Sequence, residues 1–254
     1  MKFEAGAGSS GVVAGGVAMR FAAMNAAGSV ISMGELKALT RSRTGAVVMR
    51  TTTLQPFLHP EFRSLKNPGV GKLAPVVREI ADAGGPPVVA SVVGGTIDEF
   101  VLLARTFGEA GAAAIEAHLG ESWVEATLAP CENAETLHAL AAGMAAASAA
   151  PVWVRLPDRC ELPYRVVVEA LCAGGVRAVV VRNEFTRFEK LLLEVRPGLD
   201  VIALGGIHSG WDVSRALGKG ASAVQVGPTL SPDGVDVFAR LEREVHAARA
   251  AGRS

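Results

Sequence analysis

The chain has 254 residues, half of them apolar and 20% charged, with 25 basic side chains against 25 acidic ones. That composition excludes a disordered chain, no run approaches the eighteen uninterrupted apolar residues of a transmembrane helix, and the zero net charge offers no basic footprint for nucleic acid or an anionic membrane. The three cysteines, Cys131, Cys160 and Cys172, have neither CxxC nor Cys/His ligand spacing, which argues against structural zinc and for a reducing, cytoplasmic setting.

The opening MKFEAGAGSSGVVAGGVAM is broken by Gly and Ser and reads as no signal peptide. Strand-like and helix-like segments then alternate. AMRFAAMNA (18–26) is followed by the helical GELKALTRSR (34–43), and GAVVMRTTT (45–53) by KLAPVVREIADAG (72–84). PPVVASVVG (86–94) precedes IDEFVLLARTFGEAG (97–111), and AAAIEAHLG (112–120) precedes AETLHALAAGMAAASA (134–149). PVWVRLP (151–157) and PYRVVVEALCAGG (163–175) form the fifth pair, and RAVVVRN (177–183) and RFEKLLLEVRPG (187–198) the sixth. DVIALGG (200–206) with WDVSRALGKG (211–220), and SAVQVGPTL (222–230) with VDVFARLEREVHAARAAG (235–252), complete the set. Strictly alternating βα units demand a parallel sheet, and eight of them close it. The expected fold is α/β, a single (β/α)8 TIM barrel spanning residues 1–254; an open doubly wound sheet is the alternative, weakened by the lack of an early GxGxxG.

Such a barrel carries its active site at the C-terminal ends of the strands. The positions that fall there are Asn25–Gly28, Arg50–Thr53, Ser91–Gly95, His118–Ser122, Arg155, Asn183, Gly205–Gly210 and Gly227–Thr229. Glycines after the last two strands, Gly205, Gly206 and Gly227, let a phosphate approach backbone N–H groups closely. They also fit tight barrel corners with no ligand. Two guanidinium groups at strand ends, Arg50 and Arg155, call for an anionic partner.

These residues also carry a resemblance. MNAAG (24–28), GAVVMRTTTLQP (45–56), NPGV (67–70), GGIHSGWD (205–212) and GASAVQVGPTL (220–230) resemble the class 1 dihydroorotate dehydrogenases, members of the FMN-dependent (β/α)8 barrel superfamily. The resemblance runs in order from about residue 18 to residue 245. It implies an oxidoreductase with FMN across the barrel mouth and its phosphate on the loops around Gly205, Gly206, Gly227 and Pro228. Ala26, Ala27 and Gly28 would face the flavin from the first strand and Thr51 from the second, with Asn183 near it. It also implies a homodimer.

The departures lie on the substrate side. Arg50 and Arg155 replace two lysines of the family, keeping the charge but changing a point ammonium into a planar fork. The family's Asn-Leu-Ser-Cys-Pro-Asn, with Ser in some members for Cys, becomes His118-Leu119-Gly120-Glu121-Ser122-Trp123. Glu121 therefore takes the position of the base, with His118 beside it, and burial that raises a carboxyl pKa would suit it to that task. Glu121 equally fits a solvated loop carboxylate, and His118 a structural histidine. Pro228 replaces a threonine and removes an N–H donor. The reading is an FMN-dependent oxidoreductase acting on a small molecule other than dihydroorotate. A non-redox enzyme of phosphorylated metabolites and a catalytically silent binding homologue stand as alternatives.

Overall fold

All eight expected strand runs enter one parallel sheet, seen in a computed structural model that describes residues 11–29, 32–58, 66–121, 124, 128–183, 185–227 and 233–251. The barrel strands are β3 (Ala23–Asn25), β4 (Val47–Val48), β7 (Val88–Val92), β8 (Ala114–His118), β9 (Val152–Arg155), β10 (Ala178–Arg182), β11 (Asp200–Leu204) and β12 (Ala223–Val226). They neighbour one another in the order β3-β12-β11-β10-β9-β8-β7-β4. Eight helices among the described residues form the outer ring: α1 (Met33–Thr40), α2 (Val70–Asp82), α3 (Ile97–Glu109), α4 (Ala134–Ala147), α5 (Tyr164–Ala173), α6 (Phe185–Glu194), α7 (Gly210–Gly218) and α8 (Val237–Ala250).

Helix starts follow from local chemistry. Ser32 and Ser209 form capping boxes with Glu35 and Asp212, and Thr96 and Asn133 accept backbone N–H groups of the first turns. These side chains satisfy amide donors that have no carbonyl partner within the helix.

The seam between β3 and β4 is closed by a side chain. Asn25, fully buried, donates from Nδ2 to the Val48 carbonyl at 2.7 Å and accepts the Val48 N–H on Oδ1 at 2.8 Å. Its carboxamide thus imitates the missing rung of a backbone ladder. Gly45 N–H donates to the Ala23 carbonyl at 2.8 Å lower in the same seam.

Two hairpins were not expected. β1 (Val12–Ala14) and β2 (Val17–Met19) pair antiparallel, and so do β5 (Phe57–Leu58) and β6 (Lys66–Asn67). The run read as one strand over 18–26 is therefore divided: its start ends the first hairpin and only Ala23–Asn25 enters the barrel. The β1–β2 turn plugs the N-terminal end of the barrel. Gly15 N–H donates to Asp200 Oδ2 at 2.6 Å, Trp153 Nε1 donates to the Gly15 carbonyl at 2.9 Å, and the Ser222 hydroxyl donates to Asp200 Oδ1 at 2.6 Å.

Strand side chains alternate between two apolar clusters. One set, including Leu103, Val154, Val167 and Phe188, packs between strands and helices. The other, including Met24, Val48, Val89, Ala114, Trp153, Val180, Ile202 and Ala223, fills the barrel interior. Stepping two residues along several interior faces toward the C-terminal end changes the chemistry: Val89 gives way to Ser91, Ala114 to Glu116 and His118, Trp153 to Arg155, and Ala223 to Gln225.

Candidate active site at the barrel mouth

The polar ends of those inner faces converge. Thr51 joins them through a bulge: Val48 pairs with Val89 and Thr52 with Val92, so the second barrel strand runs four residues where its neighbour runs three. The extra residue turns Thr51 inward. Its hydroxyl lies 3.1 Å from the Ser91 hydroxyl and 3.2 Å from His118 Nδ1, while its carbonyl accepts from Asn67 Nδ2 at 2.7 Å. Asn67 belongs to the NPG stretch, and its Oδ1 takes the Gly69 N–H at 3.1 Å, so this loop holds Thr51 in place.

Glu116 sits deepest. It is fully buried, neighbours Ser91 in the β7–β8 register, and accepts from Gln225 Nε2 at 2.6 Å. Burial pushes its carboxyl above the usual range, opposed by the positive charge of Arg155, by the hydrogen bond from Gln225 and by the nearby Ser91 hydroxyl. His118 responds in the other direction. Burial first and the Arg155 charge second lower its imidazolium pKa to about 3, so at neutral pH the ring is uncharged. Glu121 Oε1 lies 3.6 Å from His118 Nδ1, with the Glu121 side chain 42% exposed. The burial that would suit a carboxyl to proton transfer is thus found two residues before His118, at Glu116, and not at Glu121.

Arg155, paired across strands with His118, makes no ion pair among the described residues, acting on Glu116 and His118 through its charge. Arg50 lines a cavity of about 140 Å³ with Leu36, Val48, Met49, Pro68 and Leu73. Its Nε is buried without a hydrogen-bond partner.

The glycine loops lie at the same end. Gly205 and Gly206 have φ of +78° and +67°, in the left-handed region that L side chains avoid. Gly205 N–H is engaged by the Gln225 carbonyl at 2.9 Å, but Gly206 and Gly227 donate to no group among the described residues. A Cβ at Gly205 or Gly227 would meet nothing within 4 Å, and at Gly206 only Asn183. Asn183, from the end of β10, is anchored by its N–H to the Leu204 carbonyl at 2.8 Å. Across the seam, buried Ala26 donates to the Val226 carbonyl at 2.8 Å, followed by Ala27 and by Gly28 at φ +82° with open space before it.

The structure therefore brings His118, Glu121, Thr51 and Arg155 together, and sets Gly205, Gly206 and Asn183 side by side. Pro228, with Ser122 and Trp123, lies outside the described residues. Sequence reasoning placed Ser91 among the mouth positions but missed Glu116 and Gln225. The signal was present in AIEAH, where Glu116 and His118 are two residues apart and so share a strand face.

A parallel barrel whose mouth carries backbone donors, a guanidinium group without an ion pair among the described residues and buried acid–base residues defines a (β/α)8 barrel with a polar, cation-bearing mouth. The family model described as Dihydroorotate dehydrogenase matches residues 158–248, a span that holds Asn183, Gly205, Gly206 and Gly227. The catalytic subunit of dihydroorotate dehydrogenase B (NAD(+)) from Methanocella arvoryzae is 26% identical over 273 aligned positions, covering 90% of this chain and 89% of that one. Its counterpart from Thermoplasma acidophilum is 26% identical over 207, covering 70% and 68%. Dihydroorotate dehydrogenase (fumarate) from Saccharomyces cerevisiae is 45% identical over a shorter stretch of 73, covering 28% and 23%. In fold, the chain is similar to a dihydroorotate dehydrogenase from Eimeria tenella crystallised with ferulenol, with a TM-score of 0.77 at 16% identity, covering 95% of this chain and 85% of that one. The chain is thus similar to dihydroorotate dehydrogenases in sequence and in fold, and those enzymes form a family of FMN-dependent oxidoreductases.

The residues present fit that cofactor. Open space before Gly205 and Gly227, the N–H groups of Gly206 and Gly227, which donate to no group among the described residues, and the orphaned Nε of Arg50 are what an anionic, phosphate-bearing group would fill.

Proposed function

We propose that the protein is an FMN-binding oxidoreductase that acts on a small anionic molecule other than dihydroorotate, as a cytoplasmic homodimer. When bound, FMN supplies the two-electron acceptor. Gly206, Gly227 and Asn183 would hold its phosphate end, and Ala26, Ala27, Gly28 and Thr51 would border its ring. Arg155 and Arg50 supply positive charge for a reduced flavin or for a substrate carboxylate.

The observation that carries this reading is Arg155 itself: a guanidinium without an ion pair among the described residues, beside buried Glu116 and neutral His118 at the mouth that carries the open glycine loops. A partly desolvated cation without a protein partner is costly unless a ligand brings the opposing charge.

The altered substrate is supported by the loop after β8. There Glu121 stands in the family's base position and is positioned to receive a substrate proton and release it to water, since its side chain is partly exposed. Neutral His118, with Thr51 Oγ1 on its Nδ1, orients the carboxylate side of that loop rather than donating as an imidazolium.

The test is anaerobic flavin reduction. Protein loaded with FMN is expected to keep an oxidised flavin spectrum when mixed with dihydroorotate, and to bleach with another small carboxylate bearing an oxidisable C–H bond. Rapid bleaching by dihydroorotate would overturn the altered-substrate reading.

A further inference from the structure

Two acceptor oxygens are buried without a partner deep in the barrel, Glu116 Oε1 and Gln225 Oε1. They belong to groups already joined, because Gln225 Nε2 donates to Glu116 Oε2 at 2.6 Å. Glu116 is on β8 and Gln225 on β12, four places apart in the ring of eight, so this bond spans the barrel interior. An ionised carboxylate offers only acceptors, as does the amide oxygen. With Glu116 ionised, both orphans stay unsatisfied, which is an expensive state for buried polar atoms.

One proton on Glu116 Oε1 changes the match. A carboxylic acid and a primary carboxamide are complementary along both edges: the amide N–H donates to one acid oxygen, and the acid O–H donates to the amide oxygen. A single added O–H thus gives both orphans a partner.

The surroundings favour that state. The groups facing Glu116 are Ser91 from β7, Arg155 from β9, Gln225 from β12 and, on its own strand, His118. His118 is neutral, Ser91 and Gln225 carry no charge, and Arg155 acts on Glu116 from beyond ion-pair contact. A fully buried carboxylate would therefore lack the contact counter-ion that such charges require.

We infer that Glu116 is held as a neutral carboxylic acid, paired edge to edge with the Gln225 carboxamide, and that it thereby leaves the charge of Arg155 for an anionic ligand. The first half stands on the two orphaned oxygens; the second rests on the functional reading above. Glu116 is then a positioning residue: it spans the barrel under the mouth without cancelling the cation that faces the ligand.

Infrared spectroscopy of the apo-protein at about pH 7, where exposed carboxyls are ionised, reads the protonation state directly. The expected result is a protonated-carboxyl C=O band that shifts in D2O and is lost in Glu116→Gln. Absence of that band from the unaltered protein overturns the inference, whether or not the variant folds.

Glu116→Gln keeps both edges of the pair as an amide–amide match, so its FMN affinity should stay within about threefold of the parent. If Glu116 were a carboxylate opposing Arg155, its removal would tighten FMN by about tenfold or more, which also overturns the inference. Because the infrared reading needs no flavin, the two readings fail separately. A protein with the band that ignores FMN sustains the acid–amide pair and sinks the flavin reading, whereas one that holds FMN without the band sinks only the pair.

Discussion

The two ends of this barrel are built from similar polar residues and treat them differently. At the floor, both oxygens of Asp200, the Gly15 backbone and the Trp153 indole are joined into one closed set of bonds between 2.6 and 2.9 Å. At the mouth, Glu116 Oε1 and Gln225 Oε1 are buried without partners, and among the described residues Arg155 has no ion pair and two glycine N–H groups donate to nothing, while Arg50 Nε is buried without a partner in the cavity beside α1 and α2. A folded chain tolerates few such groups. The floor is therefore a stability device, whereas the mouth, on the function proposed above, holds in reserve the interactions that a ligand would complete.

That contrast makes ordered predictions. Gly15→Val should have the largest effect: its Cβ would lie 2.2 Å from Trp153 Nε1 and 2.8 Å from the Ala178 Cβ, at a φ of +56°. A loss of about 4 kcal/mol or more is expected in denaturant melts, and near-parent stability would show that the plug is dispensable. Asp200→Ala removes two short charge-assisted bonds and should cost about 2–3 kcal/mol, with FMN affinity of the folded fraction unchanged. A matching fall in affinity would mean that floor and mouth are coupled.

Substitutions at the mouth should invert the pattern. Gly206→Val meets only Asn183 in ordinary contact, so its cost is the left-handed backbone, about 1–2 kcal/mol, while FMN retention on gel filtration is lost. Arg155→Gln should leave the melting temperature unchanged or raised and weaken FMN about tenfold, close to 1.4 kcal/mol, by fluorescence titration. A destabilised variant with unaltered affinity would reassign Arg155 to the fold.

A separate effect is in the pH profile. With His118 at about 3 when folded against an ordinary 6.5, the unfolded chain takes up the proton first. The stability linked to this ring is complete above about pH 6.5 and is lost as pH falls toward about 3. His118→Gln should flatten that acid limb in thermal melts. Glu116, raised by burial, acts in the opposite sense, costing stability as pH climbs above the ordinary carboxyl range, and that slope should survive in His118→Gln.

The barrel was legible because long-range architecture follows from repeated local signals. Runs such as RAVVVRN and DVIALGG are apolar on both faces, as strands of a buried parallel sheet must be, and the intervening segments carry helical periodicity. The hairpins escaped because β1 and β2 have three residues each and β5 and β6 two, too short for an alternation to declare itself. In the site, glycines and loop residues after strands were readable from the barrel rule alone. Glu116 and Gln225 were not, since one polar residue inside an apolar strand has no local mark of its partner 109 positions away. Thr51 faces inward only through a bulge, and Asn25 completes a backbone seam, both products of tertiary register.

The central claim is that the mouth is a flavin site, and the visible absorption of the purified protein tests it most directly. After incubation with FMN and removal of the excess, the parent should retain the two visible flavin bands at near one equivalent per chain, and Gly206→Val should not. A folded parent that returns colourless from the same treatment would contradict the account.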